Sequence, residues 1–218
     1  MSYEIAQAYV RRYPGKFFAV RAETKRYAGG CRNVGLGFSG IDAEYTYFLD
    51  SDDYLASPGT VAEMERSIRS AGNPDAALFA FSFDYGGRVQ PCVRSRQRFD
   101  QAADDLMSFG WNSSSARAIR SSFEEPYPEG LMRDEDTVQW MKLLDKGPRV
   151  AQFGFDAFVY RRHAGSATYS DIFDRNSPLL VGELRKLIAG AKNPHVRVSA
   201  ESRLRTEAEL AEKRRNRR

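Results

Sequence analysis

Short apolar runs and helical repeats alternate along this chain. Runs rich in aromatic and branched residues predict β-strands, and apolar residues recurring at helical spacing predict amphipathic helices. The predicted strands cover residues 17–20, 45–49, 76–83 and 151–160, and the predicted helices cover residues 2–12, 31–38, 58–70, 101–109, 136–144, 178–191 and 198 to the end. Gly29 and Gly30 predict a flexible loop at residues 27–30.

Strands that alternate with helices are typical of an α/β fold with a largely parallel sheet. Sheets of this kind bind ligands at the carboxyl ends of their strands. The strand predicted at residues 45–49 is followed directly by Asp50, Ser51, Asp52 and Asp53. The pattern therefore predicts that these polar residues lie at the edge of the sheet where a ligand would bind.

This acidic run has two interpretations, and the sequence leaves both open. Residues two apart on a strand share a face, so Asp50 and Asp52 can reach one ligand while Ser51 points away. Carboxylate oxygens suit Mg²⁺ or Mn²⁺, which also bind substrate phosphates. The competing interpretation is an acidic turn or helix cap, because Asp-rich turns are common.

Three further segments combine charge with a helix start or a turn. Residues 29–35 place glycines and Arg32 at a helix start, which suits a phosphate, although glycine loops are more often simple connections. Residues 128–137 carry three consecutive acids before an apolar helix, where acids also favour the helix dipole. Residues 160–168 form a basic loop after a strand, which is also typical of a solvated turn.

Taken in this order, the segments resemble the inverting family 2 glycosyltransferases of the GT-A fold. The resemblance covers about residues 2–170, and each motif is weak alone while several in register are specific. The matching motifs are Cys31-Arg32-Asn33-Val34-Gly35-Leu36, Phe48-Leu49-Asp50-Ser51-Asp52-Asp53, Trp111-Asn112, Glu129-Gly130, Glu135-Asp136-Thr137 and the loop from Tyr160 to Ser166.

The resemblance implies a GT-A-like fold, that of the nucleotide-diphospho-sugar transferases, with a mixed but mostly parallel sheet flanked by helices. It implies transfer of a sugar from a nucleotide-sugar donor to a glycan or lipid-linked acceptor, with inversion. Asp50 and Asp52 look like the family's metal-binding pair, with Mg²⁺ or Mn²⁺ as cofactor and Asp52 as the dominant ligand. In the catalytic pair, Asp136 looks like the general base, and Glu135 would orient or shape the acceptor pocket.

Further donor contacts follow from the same resemblance. The residues that it places around the donor are Arg32, Asn33, Asp50, Ser51, Asp52, Arg162 and His163. Arg32 would face the donor phosphates, and Arg161 and Arg162 would clamp them. His163 would ligate the metal or contact the diphosphate, although a single histidine in a basic loop is also typical of a polar surface.

The chain departs from this family in two places. Relatives begin with a strand, a helix and a second strand, about 40 residues that form much of the nucleoside pocket, so the domain at residues 1–170 is expected to be N-terminally incomplete. Three explanations stand: a fragment of a longer reading frame, a partner chain or second copy that covers the open sheet edge, or an inactive relative that serves as a binding or assembly subunit. The second departure, at residues 113–116, is a small polar run that predicts a wider acceptor side or looser packing.

Composition narrows the class of protein. Of the 218 residues, 42% are hydrophobic and 12% are aromatic, which supports a substantial core. No apolar run approaches the roughly 20 residues that a membrane helix needs. The N-terminus lacks a secretory pattern, and Cys31 and Cys92 have neither metal nor disulfide spacing, which together predict a cytoplasmic protein.

Positive charge gathers near the C-terminus. The net charge is +4, and much of the excess lies at residues 213–218, the end of a helical basic segment at residues 171–218. Because no aromatic residues are interleaved with these charges, they do not indicate nucleic-acid binding. Basic residues are attracted to anionic lipid by roughly 1 kcal/mol each, so the tail predicts weak contact with the inner face of the membrane.

Overall fold

The computed structural model describes residues 2–39, 43–97, 113–163 and 173–216. The helices in these ranges are α1 (Ser2–Arg12), α2 (Tyr27–Ser39), α3 (Thr60–Ser70), α4 (Glu135–Asp145), α5 (Phe173–Gly190) and α6 (Pro194–Arg215). The strands are β1 (Tyr45–Tyr47), β2 (Tyr54–Leu55), β3 (Ala76–Asp84), β4 (Val89–Pro91), β5 (Arg117–Arg120) and β6 (Val150–Arg161). The helix predicted at residues 101–109 and the pair Trp111-Asn112 lie outside the described residues.

The strands form one mixed sheet in the order β1-β5-β3-β6-β2, with β4 paired to β3. Among the described pairs, only β3 and β6 run parallel, and the other pairs are antiparallel. The predicted α/β class is confirmed, but the expectation of a mostly parallel sheet is wrong. Parallel neighbours need a long crossover, which α4 supplies between β3 and β6, whereas tight reversals such as the turn from Tyr85 to Arg88 give antiparallel neighbours.

The core is built on the parallel pair β3 and β6. Every side chain of β3 except that of Phe83 is buried, as expected for a central strand that is covered on both faces. The ring of Phe79 stacks on that of Phe153 with 5.5 Å between centroids, and Phe81 stacks on Phe158 at 4.9 Å. These aromatic pairs join the two strands on either side of an irregularity, where Phe79 pairs with Phe153 but Ala80 pairs with Asp156.

Helices α4, α5 and α6 pack into the same core. Most residues of α4 are buried. Leu180 and Leu184 of α5 and Val196 of α6 belong to one buried cluster with the side chains of β3. The C-terminal helices are therefore joined to the sheet by continuous apolar packing. None of the helices in the described ranges is both long enough and apolar enough to cross a membrane.

The N-terminal region differs most from the sequence predictions. Residues 17–20 do not form a strand, and Phe18 is 75% exposed. A strand needs a hydrogen-bonded neighbour, and the sheet of the described residues provides none for this segment. Residues 27–30, predicted to be a loop, form the first turn of α2. Gly29 lets this turn lie close to Tyr127, because a β-carbon on residue 29 would be only 3.2 Å from the Tyr127 side chain.

Strands β1 and β2 stand at the two ends of the strand order in the described sheet, and β4 is a further edge strand because its one described partner is β3. β1 pairs with β5 from Tyr45 to Tyr47, and no described strand pairs with its other side. Unpaired strand edges are places where another chain can add a strand. Coverage of this edge by a partner chain or a second copy stays a prediction.

We expect Leu184→Ala to lower the free energy of unfolding by about 2–5 kcal/mol, because it removes a fully buried side chain from the core. Leu179→Ala in the same helix is the matched control and should change it by less than about 0.5 kcal/mol, since Leu179 is 53% exposed. Urea unfolding followed by circular dichroism measures both values. Equal losses in the two variants would contradict the placement of α5 against the core.

Candidate functional site

The acidic run forms a tight turn (residues 50–53, here the acidic turn) and not the end of a strand. β1 ends at Tyr47, and the backbone N–H of Asp53 donates to the carbonyl of Asp50 at 3.0 Å. The premise that Asp50 and Asp52 alternate along a strand is therefore wrong, because the chain reverses before the strand can continue. Each of the two carboxylates has its own partner.

The side chain of Arg32 joins the acidic turn to the start of α4. Its Nη2 donates to Asp50 Oδ1 at 2.5 Å, and its Nη1 donates to Glu135 Oε1 at 2.8 Å. The guanidinium carbon also lies 5.3 Å from the centroid of the Tyr127 ring. The side chains of Arg32 and Glu135 are each 9% exposed, so this part of the network is shielded from water. We refer to these two ion pairs as the Arg32 bridge.

The partners of Arg32 stabilise its protonated, positively charged form. Burial disfavours the charged guanidinium, but the carboxylates of Asp50 and Glu135 more than offset this, and the pKa of Arg32 is raised above its ordinary value. Arg32 therefore stays protonated at every physiological pH. Because one cation faces two carboxylates, the bridge keeps an excess of negative charge, which favours a further cation or a proton nearby.

Asn33, the next residue of α2, fixes the loop in front of α4. Its Nδ2 donates to the carbonyl of Tyr127 at 2.9 Å, and its Oδ1 accepts the backbone N–H of Tyr127 at 2.8 Å. The Tyr127 hydroxyl lies 2.9 Å from Ser114 Oγ, and the ring packs edge-on against Phe48. Asn33 thus holds Tyr127 in place beside the bridge, and its expected contact with the donor stays a prediction.

Residues 113–116 pack tightly beneath the acidic turn. Ser115 is fully buried, its Oγ accepts the backbone N–H of Asp50 at 3.3 Å, and its carbonyl accepts the Tyr47 hydroxyl at 2.8 Å. The expectation of looser packing here is wrong, because the small side chains allow this close approach. A wider acceptor side stays a prediction.

Asp52 has a different partner, at the end of β6. His163 Nε2 lies 3.0 Å from Asp52 Oδ2, and the two side chains are 40% and 46% exposed. The backbone N–H of Arg161 donates to Asp53 Oδ1 at 3.0 Å, which ties the end of β6 to the acidic turn. The fold thus brings together two residues that were predicted to contact the metal or the donor.

The fit of a divalent cation depends on this pair. Within the described ranges, no group of three or more His, Cys, Asp or Glu side chains is arranged to hold a metal ion. Asp52 and His163 offer one carboxylate and one imidazole at the surface, whereas Asp50 is already paired with Arg32. Mg²⁺ and Mn²⁺ commonly keep water and substrate phosphates among their ligands, so the pair suits such an ion together with a bound diphosphate.

Asp136 lies in the first turn of α4 (residues 135–138), directly after Glu135. Its Oδ1 accepts the backbone N–H of Thr137 at 2.8 Å. Burial raises the pKa of Asp136 to about 7, and the negative charge of Glu135 adds to the shift, while Arg117 and Arg32 oppose it. A carboxylate with this pKa exchanges protons near neutral pH, which is what a general base requires.

Three residues of the site had no assigned role in the sequence analysis. Tyr127 packs beside the bridge, and Arg117, 2% exposed, donates to the carbonyl of Asp136 at 3.1 Å. Burial raises the pKa of Asp53 to about 6, and its Oδ2 is buried without a hydrogen-bond partner. Of the three, only Asp53 could have been found from the sequence, because it belongs to the acidic run. Tyr127 and Arg117 contact residues that are distant in the sequence, so no local pattern marks them.

The remaining predicted residues lie around the same end of the sheet. Ser51 is exposed on the acidic turn. The guanidinium carbon of Arg162 lies 4.7 Å from the centroid of the Phe83 ring and 5.6 Å from that of Tyr85. Donor contacts of Ser51 and Arg162 stay predictions. The basic loop beyond His163 lies outside the described residues.

Comparison with known proteins identifies a fold and no family. No family model and no curated protein matches the chain. The chain is similar to a crystal structure of S. aureus TarS 1–349 in complex with UDP-GlcNAc, with 17% sequence identity, a TM-score of 0.67, and coverage of 91% of this chain and 57% of that one. A second structure of S. aureus TarS 1–349 matches with 17% identity, a TM-score of 0.64, and coverage of 92% and 56%.

This likeness confirms the predicted GT-A-like, mixed α/β fold with a sheet flanked by helices. At 17% identity the likeness concerns the fold alone. The chain also spans little more than half of the TarS chain that it matches. What the chain does therefore has to be argued from its own residues.

We expect Arg32→Met to lower the free energy of unfolding by about 3 kcal/mol, because it leaves the buried carboxylate of Glu135 without its partner. Arg69→Met is the control: it removes an exposed ion pair with Glu65 and should cost less than about 1 kcal/mol. Urea unfolding measures the free energy of unfolding of both variants. If Arg32→Met is as stable as the control, the bridge does not hold the structure together.

Proposed function

We propose that this chain is a glycosyltransferase that moves a sugar from a nucleotide-sugar donor to an acceptor hydroxyl, with inversion at the anomeric carbon. The observation that carries the proposal is the Arg32 bridge, which joins the acidic turn and the first turn of α4 in one site. The acidic turn would then supply the cation site for the leaving diphosphate, and the first turn of α4 would supply the base for the attacking hydroxyl. One set of contacts would hold both groups in place. The GT-A-like fold supports the same class of reaction without fixing it.

The donor would bind at the acidic turn and the end of β6. Asp52 and His163 would hold Mg²⁺ or Mn²⁺ together with the diphosphate, and the cation would offset the charge of the departing nucleoside diphosphate. Arg161 and Arg162 at the end of β6 supply positive charge beside it. The binding of UDP-GlcNAc by the structurally similar TarS supports a nucleotide sugar as the donor.

Asp136 would act as the general base. Its carboxylate takes the proton of the acceptor hydroxyl while that oxygen forms a bond to the anomeric carbon. The bond between the anomeric carbon and the diphosphate oxygen breaks in the same step, and its electron pair leaves with the nucleoside diphosphate. Because the hydroxyl attacks from the opposite face, one displacement inverts the anomer and no enzyme nucleophile is needed.

Glu135 supports this chemistry indirectly. Its side chain is buried and paired with Arg32, so its carboxylate faces the bridge. From there it holds the guanidinium in place, and its negative charge helps to raise the pKa of Asp136. Its expected influence on the acceptor pocket would then come through the position of Asp136. The acceptor itself, a glycan or a lipid-linked compound, contributes only the hydroxyl to this scheme.

A second candidate function is a binding or assembly subunit that keeps the fold without turnover. One observation favours it: the outer side of β1 has no described partner strand. A partner chain or second copy would then pair with this edge of the sheet. Binding of a nucleoside diphosphate with no release of product from any donor would support this alternative over the transferase.

We expect Asp136→Asn to lower the turnover of UDP-GlcNAc with a hydroxyl acceptor, measured as UDP released, by about a hundredfold or more, because an amide cannot take the proton. In the unaltered chain the rate should rise with pH through about 7, since only the ionised carboxylate is a base. Asp145→Asn, at the other end of α4, is the control and should keep both the rate and the pH profile. A rate within about threefold of the unaltered chain in Asp136→Asn would refute the assignment.

We expect Mn²⁺ to tighten the binding of UDP by about tenfold or more in calorimetry, because the ion links the diphosphate to Asp52 and His163. Asp52→Asn should remove this gain. Asp156→Asn, which alters an acid of β6 that is paired with Arg96, should keep it. Equal affinity for UDP with and without Mn²⁺ in the unaltered chain would count against a cation at this position.

A further inference from the structure

A compact ionic cluster connects α6 to the residues in front of α4. Arg203 Nη2 donates to Asp134 Oδ2 at 2.8 Å, and Arg133 Nη1 donates to the same oxygen at 2.6 Å. Arg133 Nη2 also donates to Glu207 Oε2 at 2.7 Å, and Arg203 lies 3.4 Å from Glu207 Oε1. We call these four residues the anchoring cluster.

Because the anchoring cluster is buried, the loss of these contacts would be costly in free energy. The side chain of Glu207 is 1% exposed, and those of Arg133, Asp134 and Arg203 are 13%, 18% and 28% exposed. A carboxylate buried to this degree is costly unless cations pair with it. Two guanidinium groups and two carboxylates balance one another here. Helix α6 therefore has a specific electrostatic attachment to this loop in addition to its apolar packing.

The attachment point is Asp134, the residue directly before α4. Asp134 has a left-handed backbone conformation, with φ of 59°, and its side chain makes no hydrogen bond that caps the helix. Non-glycine residues in this conformation are uncommon and need support from their surroundings. The two arginines provide that support, because they hold the carboxylate of Asp134 outside the helix while its carbonyl accepts the N–H of Val138 at 3.0 Å.

The first turn of α4 is thus held from two sides. Arg32 pairs with Glu135 on one side, and Arg133 and Arg203 pair with Asp134 on the other. Asp136 follows directly, and its own carboxylate bonds to the backbone of this turn through Thr137. A shift of the turn would therefore move the carboxylate of Asp136.

We propose that Arg203 and Glu207 of α6 are positioning residues, which hold the first turn of α4 so that the Asp136 carboxylate meets the acceptor hydroxyl. The proposal rests on the transferase function and names the part of the chain that sets the geometry of its base. Arg203 acts through its contact with Asp134, and Glu207 acts through Arg133 and Arg203, the two arginines that bind Asp134. Catalytic groups need support of this kind because a displacement of about 1 Å can cost about a hundredfold in rate.

The test compares two cation-to-methionine variants on helices that pack against each other. Arg203→Met removes the contact with Asp134, and Lys142→Met is the control. Lys142 is 30% exposed, close to the 28% of Arg203, and pairs at 3.2 Å with Glu183 of α5, away from the first turn of α4. Arg203→Lys keeps the charge and serves as the conservative variant. Circular dichroism establishes that each variant is folded.

Arg203→Met should lower kcat by about tenfold to a hundredfold, while KM for UDP-GlcNAc stays within about twofold, because the donor binds at the other end of the site. Arg203→Lys should recover most of the lost kcat, and Lys142→Met should leave both constants within about twofold. A fall of kcat in Lys142→Met equal to that in Arg203→Met, or an unchanged kcat in Arg203→Met, would overturn the proposal.

Amide hydrogen exchange separates this proposal from the transferase function. The amides of Thr137 and Val138 should exchange about tenfold faster in Arg203→Met and at the original rate in Lys142→Met, whether or not any donor is turned over. Absence of turnover in the unaltered chain together with this exchange pattern would reject the transferase and keep the anchoring role. Unchanged exchange of these two amides in Arg203→Met would reject the anchoring role itself.

Discussion

One guanidinium, that of Arg32, sets the arrangement on which the site depends. It is buried between the carboxylates of Asp50 and Glu135, which lie 2.5 and 2.8 Å from its nitrogens on separate segments of the chain. A buried cation or carboxylate without a partner would be costly, so these groups stabilise the fold only while the two segments stay together. The same contacts therefore hold the structure and assemble the two halves of the proposed reaction.

The residues around this guanidinium leave space for it and fix the positions of the segments that it contacts. Gly29 allows α2 to approach the loop in front of α4, Asn33 binds the backbone of that loop, and Ser115 supports the acidic turn from below. The first turn of α4 is then held by Arg32 on one side and by the anchoring cluster on the other. A carboxylate with a raised pKa, that of Asp136, thus lies on a rigid element, as a catalytic group requires.

Sequence patterns predicted the bounds of three core elements closely and the long-range contacts poorly. Strands β3 and β6 and helix α4 begin and end within one residue of their predicted bounds, because their apolar patterns are strong. The two longest described helices, α5 and α6, begin at Phe173 and Pro194, before their predicted starts at residues 178 and 198. Residues 17–20 carry a strand pattern but find no neighbour among the described strands, so tertiary context overrides their propensity. The motifs identified Arg32, Asp50 and Glu135 as candidates, yet nothing local indicates that they bind one another, since Arg32 and Glu135 are 103 positions apart.

Amide hydrogen exchange of the Arg32→Met variant tests the central claim most directly. Residues 50–53 and 135–138 should both exchange faster than in the unaltered chain, because one guanidinium holds both segments, while α3 serves as an internal reference and keeps its protection. Faster exchange in only one of the two segments, or in neither, would contradict the claim that Arg32 holds the acidic turn and the start of α4 together.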